Sequence, residues 1–196
     1  MVSVRQRSRE RVFEVYKMII KELERVDRTG MKELITWLEK SDFLTAPAST
    51  KYHLCESGGL AKHSMNVFNE LVVLSRGYCP KISMDSLRIA GLLHDVCKVN
   101  FYATENKRVR SADGQWTDKP GYTVNDLEPL GHGEKSVIIL ARFIRLTTEE
   151  ELAIRWHMGA WESGCDIRTL GRAMDKCPLL KALMLADQMA TFKETK

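Results

Sequence analysis

The chain has no long apolar run. Its most hydrophobic stretches are short, such as LVVL at 71–74 and VIIL at 137–140, far from the ~18 consecutive residues of a membrane span. No membrane association is expected. Residues 1–13, MVSVRQRSRERVF, carry charge throughout and contain no apolar core, which is not the pattern of a secretory leader. Paired cysteines are also missing. The five cysteines are an odd number and no two stand in CxxC spacing, so a zinc ribbon is not expected and a reducing, cytoplasmic setting is. Excess charge is small: 30 Lys and Arg against 26 Asp and Glu leave +4. That is too little to imply nucleic acid, though it suits an anionic substrate. No repeat, low-complexity segment or linker is visible. SGGLAKHS at 57–64 contains glycine, but at the wrong spacing for a phosphate-binding loop or a dinucleotide fingerprint.

What is present reads as one mostly helical domain spanning 1–196. The chain is 44% hydrophobic and 29% charged, ordinary for a globular protein. At 196 residues it can bury roughly 70% of its unfolded surface without disulfides. Val12, Val15, Tyr16, Ile19, Ile20, Leu23 and Val26 form one stripe at helical spacing over 9–26. A short helix follows over 31–40, and residues 1–44 are expected to pack as N-terminal helices on the remainder. A loop over 41–50 leads to a helix after Gly58-Gly59 that ends near Gly77. Ser83 caps the next helix, read as continuing to 99. Residues 101–125 change character: two stretches rich in aromatic and β-branched residues flank Asp113-Gly114, which predicts a β-hairpin. Helix resumes at Gly131 and is read through 146. Thr147 or Thr148 caps another helix, 159–177 reads as loop-rich, and Pro178 opens the last helix. The fold class is therefore all-α with a small β-hairpin insertion.

Only five histidines occur: His53, His63, His94, His132 and His157. Any one of them alone is most simply a core histidine with a hydrogen-bond partner. Their surroundings argue for more. His94 and Asp95 are adjacent in the apolar stretch IAGLLHDVCKV, and a buried carboxylate there is costly without a neutralising cation. Lys98 lies three residues beyond Asp95, on the same face of a helix. Two readings stand: an Asp95–Lys98 ion pair beside a structural histidine, or a metal bound by His94 and Asp95 with Lys98 aimed at an anion on that metal. Asp187 interrupts another apolar face, between Met184 and Ala190. Imidazoles and carboxylates projecting inward from several helices build metal centres in helix bundles. Mixed nitrogen and oxygen ligands suit manganese, iron, cobalt, nickel or zinc.

The order His63, His94-Asp95, Asp187 resembles the HD-domain superfamily of metal-dependent phosphohydrolases. GGLAKHSMNV at 58–67, GLLHDVCK at 91–98, LGHGEKS at 130–136 and LADQMA at 185–190 are similar to that family's successive motifs, and the likeness covers roughly 45–192. The resemblance implies that His63, His94, Asp95 and Asp187 bind a first, tight divalent ion. It implies that His132 and His157 bind a second, weaker one bridged by Asp95. Trp156-His157 stands where members with two metals often have consecutive histidines, which leaves the second site a ligand short. His53 matches a histidine of a subgroup similar to the HD domain of 3′-to-5′ exoribonucleases, and is assigned with Lys98 to substrate binding. Catalysis would fall to Asp95 and Lys98.

The expected function is thus hydrolysis of a nucleotide or oligonucleotide phosphate ester by metal-activated water. The partner would be a phosphorylated small molecule or a short nucleic acid. A binding module for a nucleotide or RNA end, without catalysis, and a bundle stabilised by a structural metal are the competing readings. Tyr102, Lys107, Arg108, Arg110, Trp116, Lys119 and Tyr122 in the hairpin region offer either a base-stacking, phosphate-holding surface or a solvated arm. Trp37, Trp156 and Trp161 read as packing residues.

Overall fold

The computed structural model describes residues 4–110, 113–162 and 164–195, with the side chains of 13 onward. Among these, eight α-helices and one antiparallel hairpin form the fold. Helix α1 (Val4–Leu23) buries Ile19 and Leu23, and α2 (Met31–Lys40) buries Met31, Leu34, Ile35 and Leu38. Helix α3 (Gly59–Tyr78) contributes Leu60, Val67 and Leu71 to the core, α4 (Met84–Leu93) contributes Ile89, Leu92 and Leu93, and α8 (Pro178–Glu194) contributes Leu179, Leu180, Leu183 and Ala186. Each fully buried leucine or isoleucine stabilises the fold by roughly 1.5–3 kcal/mol relative to exposure. Among the described residues, no helix is long and apolar enough to cross a membrane.

Helix starts follow local chemistry. The Ser83 hydroxyl accepts from the Ser86 amide to open α4. Thr147 and Glu150 form a reciprocal capping box at α6 (Thr148–Trp156). Pro178 occupies the first turn of α8, where its missing N–H costs nothing. Two glycines set how closely helices approach at the site. A Cβ on Gly91 would stand 2.8 Å from Phe68 Cα, so α4 lies directly against α3. A Cβ on Gly133 would stand 2.0 Å from the Arg155 carbonyl oxygen, so α5 (His132–Ala141) lies against the end of α6.

Three segments differ from the sequence reading. Helix α4 ends at Leu93, and Val96–Lys98 form a separate 3-10 turn rather than continuing the helix. Helix α5 stops at Ala141 and not near 146, because the ladder tightens there: the amides of Arg142 and Phe143 bond carbonyls only three residues back, at Ile139 and Leu140. Within the stretch read as loop-rich, Ile167–Lys176 is helix α7. Asp166 caps it, accepting from the Arg168 and Thr169 amides, and Leu170 and Ala173 are its buried stripe. Leu170, Ala173 and the half-buried Met174 recur at helical spacing, but Gly164, Asp166 and Gly171 among and before them read as loop.

The hairpin pairs β1 (Tyr102–Arg110) with β2 (Trp116–Val124), in register from Tyr102 opposite Val124 to Arg110 opposite Trp116. Its tip includes two residues, 111 and 112, outside those described.

Candidate metal centre

Asp95 begins the 3-10 turn at the end of α4 and is 2% exposed. Its two carboxylate oxygens face different partners. Oδ2 lies 2.6 Å from Lys98 Nζ, 3.6 Å from His94 Nε2 and 3.8 Å from His63 Nε2. Oδ1 lies 2.6 Å from His132 Nε2 and 3.4 Å from His157 Nε2. Asp187 on α8 stands 3.1 Å from His63 Nε2. Five elements converge here: α3 brings His63, the end of α4 brings His94 and Asp95, the first residue of α5 is His132, His157 caps α6, and α8 brings Asp187. The close approaches at Gly91 and Gly133 put the His63 and His94 rings 5.4 Å apart and those of His132 and His157 5.2 Å apart. His53 joins from the loop before α3, its ring 4.9 Å from that of His63. All eight residues singled out in the sequence meet in one place.

The ring orientations carry chemical information. Nδ1 of His94 is 3.0 Å from the Gly91 carbonyl oxygen, and Nδ1 of His157 is 2.7 Å from that of Ile154. A carbonyl only accepts, so each Nδ1 carries the proton and donates it. In the neutral ring each Nε2 then holds a bare lone pair. Both of these nitrogens are buried and neither has a hydrogen-bond partner. A buried acceptor left unpaired costs on the order of 1–3 kcal/mol, and a metal ion removes that cost. His63 follows a related scheme, with Nδ1 3.0 Å from Glu194 Oε2. A carboxylate or carbonyl behind the ring is the usual outer support of a metal-binding histidine.

Spacing gives a second test. Ligands held at ~2.0–2.2 Å from a tetrahedral ion stand about 3.3–3.6 Å from one another. The separations of 3.1, 3.4 and 3.6 Å among Asp187, His63, His157, His94 and Asp95 lie near that value. The two 2.6 Å contacts, from Lys98 and His132, are hydrogen bonds to Asp95. The Lys98–Asp95 ion pair left open by the sequence is thus formed, and Lys98 also lines the adjoining cavity. The residues present fit a divalent cation.

Electrostatics point the same way. Burial opposes protonation of His63, yet its bonds to Asp187 and Glu194 raise it to about 9. Burial drives His94 down to about 3. Burial disfavours the charged forms of Asp95 and Asp187, but Lys98 and the histidines around them hold both carboxyls below their ordinary range. A buried carboxylate and a half-buried one thus depend on cationic neighbours, a need that a divalent ion also meets.

Two contributors were not recognised in the sequence. Glu194 supports His63 and accepts from Asn66 Nδ2 at 2.8 Å. Its one signal is its place seven residues beyond Asp187, on the same helical face. Cys97 is 3% exposed, and its sulfur lies 3.5 and 3.7 Å from the ring nitrogens of His132. Burial pushes its thiol up to about 12. Asp95, Cys97 and His132 are close enough to share an ion.

A cavity of about 470 Å³ opens beside the cluster, lined in part by Lys98, Tyr102, Val124, Met158, Trp161 and Phe192. Of the hairpin candidates, only Tyr102 reaches it. Lys107 and Lys119 pair five residues farther along the strands, roughly 17 Å away at ~3.4 Å per residue, and Arg108, Arg110 and Trp116 lie beyond them. Tyr122 is half-buried opposite Thr104. Trp156 and Trp37 pack as expected. Trp161 does not: it is 81% exposed at the cavity.

The architecture and this cluster define a helical domain built around a candidate metal site. The HD domain family model matches residues 60–191, more than half of the chain, and the chain belongs to that family, whose members are mostly metal-dependent phosphohydrolases. No curated protein and no solved structure matches it.

Proposed function

We propose that the protein is a metal-dependent phosphohydrolase that cleaves a phosphate ester of a nucleotide or oligonucleotide at the cavity beside Asp95. The observation that carries this reading is the pair of unpartnered Nε2 atoms of His94 and His157, facing opposite oxygens of Asp95. His63, His94, Asp95 and Asp187 would hold one divalent ion. His132 and His157, with Asp95 shared, would hold a second, and Cys97, close to Asp95 and His132, would be available as a further ligand there. Such ions supply Lewis acidity toward a phosphoryl oxygen and make water acidic enough to attack near neutral pH.

The chain's own groups do the rest. Glu194 fixes the His63 ring and the Gly91 and Ile154 carbonyls fix His94 and His157, so the donors are set before any ion arrives. Lys98, held by Asp95 at the cavity wall, places a cation where phosphoryl oxygens gather negative charge. His53, with a buried and unpartnered Nε2, is positioned to bond a substrate oxygen. A metal that only braced the bundle would need neither an adjoining cavity nor a lysine in its wall, which favours the enzyme over the structural reading. The exoribonuclease-like subgroup rests on His53 alone and gains no support from the family match, which begins at residue 60.

The test is a panel of nucleotides, cyclic nucleotides and short RNAs with manganese, alongside an Asp95→Ala control. Hydrolysis that stops with a chelator and with the control is expected. Turnover that survives verified metal removal, or full activity in the control, would overturn the proposal.

A further inference from the structure

We infer that the cavity selects a small phosphomonoester with a flat, uncharged leaving group, held at the mouth by Trp161 and Phe192. This rests on the phosphohydrolase reading and narrows it.

The first argument is charge. Lys98 is the only Lys or Arg among the described residues lining the cavity, and it is already paired with Asp95. One divalent ion together with Lys98, set against Asp95, Asp187 and the Glu194 carboxylate behind His63, leaves no net charge, and a second ion leaves two positive charges. A monoester dianion is balanced within that range. A nucleoside triphosphate carries about four negative charges and needs further cations, as phosphate chains do in sites built to hold them. The walls offer none. The cations of the hairpin stand roughly 17 Å out along the strands.

The second argument is the mouth. Trp161 is 81% and Phe192 73% exposed, yet both line the cavity. Large aromatic faces left in water at the edge of a cavity are a common mark of a recognition surface. Their placement is tied to the metal cluster. Trp161 follows His157 by four residues, and Phe192 follows Asp187 by five on α8, about 7.5 Å up the helix axis. The axial offset between Asp187 and Phe192 leaves room for a spacer between a phosphate at the cluster and a ring at the mouth. Val124 and Met158 add apolar surface to the lining. A cavity of about 470 Å³ falls within the ~300–1,000 Å³ of sites for one small molecule.

The reaction balances without a co-reactant. The oxygen of water bonds to phosphorus as the ester P–O bond breaks. One proton of that water ends on the departing alcohol, and inorganic phosphate is released.

The experiment compares adenosine monophosphate, adenosine triphosphate, glycerol phosphate and a short oligonucleotide bearing a terminal phosphate, all with the full chain and manganese. Phosphate release is measured, and binding is followed in parallel by tryptophan fluorescence. We expect kcat/KM for the monophosphate to exceed those for the triphosphate and for glycerol phosphate by at least about tenfold, in line with the strength of ring stacking. Trp161→Ala should raise KM for adenosine monophosphate about tenfold, leave glycerol phosphate hydrolysis unchanged, and be largely rescued by Trp161→Phe. Preference for the triphosphate or the oligonucleotide overturns the inference, as does an equal loss on glycerol phosphate in Trp161→Ala. If the monophosphate binds with Trp161-dependent quenching but no ester is cleaved, the phosphohydrolase reading fails and the ligand class stands. If glycerol phosphate is cleaved and the monophosphate neither binds nor reacts, the reverse holds.

Discussion

Asp95 and Glu150 are both carboxylates in the core, 2% and 0% exposed, and they serve different ends. Around Glu150 every polar group has a partner. Oε1 accepts from the Ser86 hydroxyl at 2.7 Å, while Oε2 accepts from the Thr147 amide at 2.9 Å and from the Arg28 guanidinium. The group ties the segment before α2, helix α4 and helix α6 together, and its charge sits at the N-terminal turn of α6, where the helix dipole favours it. Asp95 is also bonded, to Lys98 and His132. What differs is its surroundings, where two buried imidazole nitrogens have nothing to accept. Buried charge alone therefore does not mark a functional site; unspent lone pairs around it do.

The comparison breaks most sharply at Asp95. Replacing it with alanine removes the group that both ligand sets face. Activity should fall by at least about 10³-fold, as expected when metal-assisted attack is lost, and metal content should fall with it. Metal at a hundred times its Kd stabilises a protein by about 2.7 kcal/mol. The melting difference between metal-loaded and metal-free wild type should accordingly collapse in this variant. A variant that keeps both its metal and its rate would place Asp95 in the same class as Glu150.

Glu150→Ala tests the other side. It strands Arg28, which is largely buried, and leaves the Thr147 amide and Ser86 hydroxyl without their acceptor. Breaking a buried ion pair from one side costs about 3–5 kcal/mol. Denaturant titration should show that loss equally with and without a chelator, while kcat per folded molecule stays as in the wild type. A loss that appears only in the metal-loaded protein would mean the two clusters are coupled.

Much of this contrast was legible in the sequence, though unevenly. His94, Asp95 and Asp187 could be found because HD is embedded in an apolar run and Asp187 interrupts another, so the charges announce their own burial; His53, His63, His132 and His157 took their roles from the likeness to the HD motifs. Helix starts were legible where a side chain caps them, as at Ser83, Thr147 and Pro178. Glu194 was hidden because it lies among polar residues near the end of α8 and acquires its role only when α8 packs along α3. Cys97 was hidden because a buried thiol is usually inert, and only the fold puts it beside His132. Helix α7 was missed because Gly164, Asp166 and Gly171 read as loop and outweighed the helical spacing of Leu170, Ala173 and Met174. Trp161 looked like packing because local sequence does not distinguish a tryptophan in the core from one at a cavity mouth. Glu150 itself read as first-turn helix charge, since its partners Arg28 and Ser86 are far away in the chain.

Lys98→Ala sits between the two clusters. Lys98 pairs with Asp95 as Arg28 pairs with Glu150, but it also faces the cavity. If its charge acts on the phosphoryl group, turnover should drop on the order of 10²-fold with bound metal nearly unchanged. Metal analysis beside kinetics decides the matter: metal lost in proportion to activity would make Lys98 a structural partner of Asp95 and nothing more.

The smallest expected effect sharpens the comparison most cleanly, because it removes one hydroxyl, which donates to Glu150 and accepts from the Ser83 hydroxyl, and alters no charge. In Ser86→Ala, Glu150 Oε1 loses its donor at 2.7 Å. The carboxylate stays ionised through Arg28 and the Thr147 amide, so the ion pair survives while one buried oxygen goes unpaired. Hydrogen bonds to charged groups are worth about 1.5–3 kcal/mol, and the smaller figure applies because the other oxygen remains fully bonded. The α4 cap should be intact, since the Ser86 amide still donates to the Ser83 hydroxyl. Stability should therefore drop by about 1.5 kcal/mol, by the same amount with and without added manganese, and kcat and KM should not move. An effect of Ser86→Ala on metal affinity would show that Glu150 and Asp95 share one network through α4, at whose two ends their partners lie, and the distinction between a satisfied cluster and an open one would need to be redrawn.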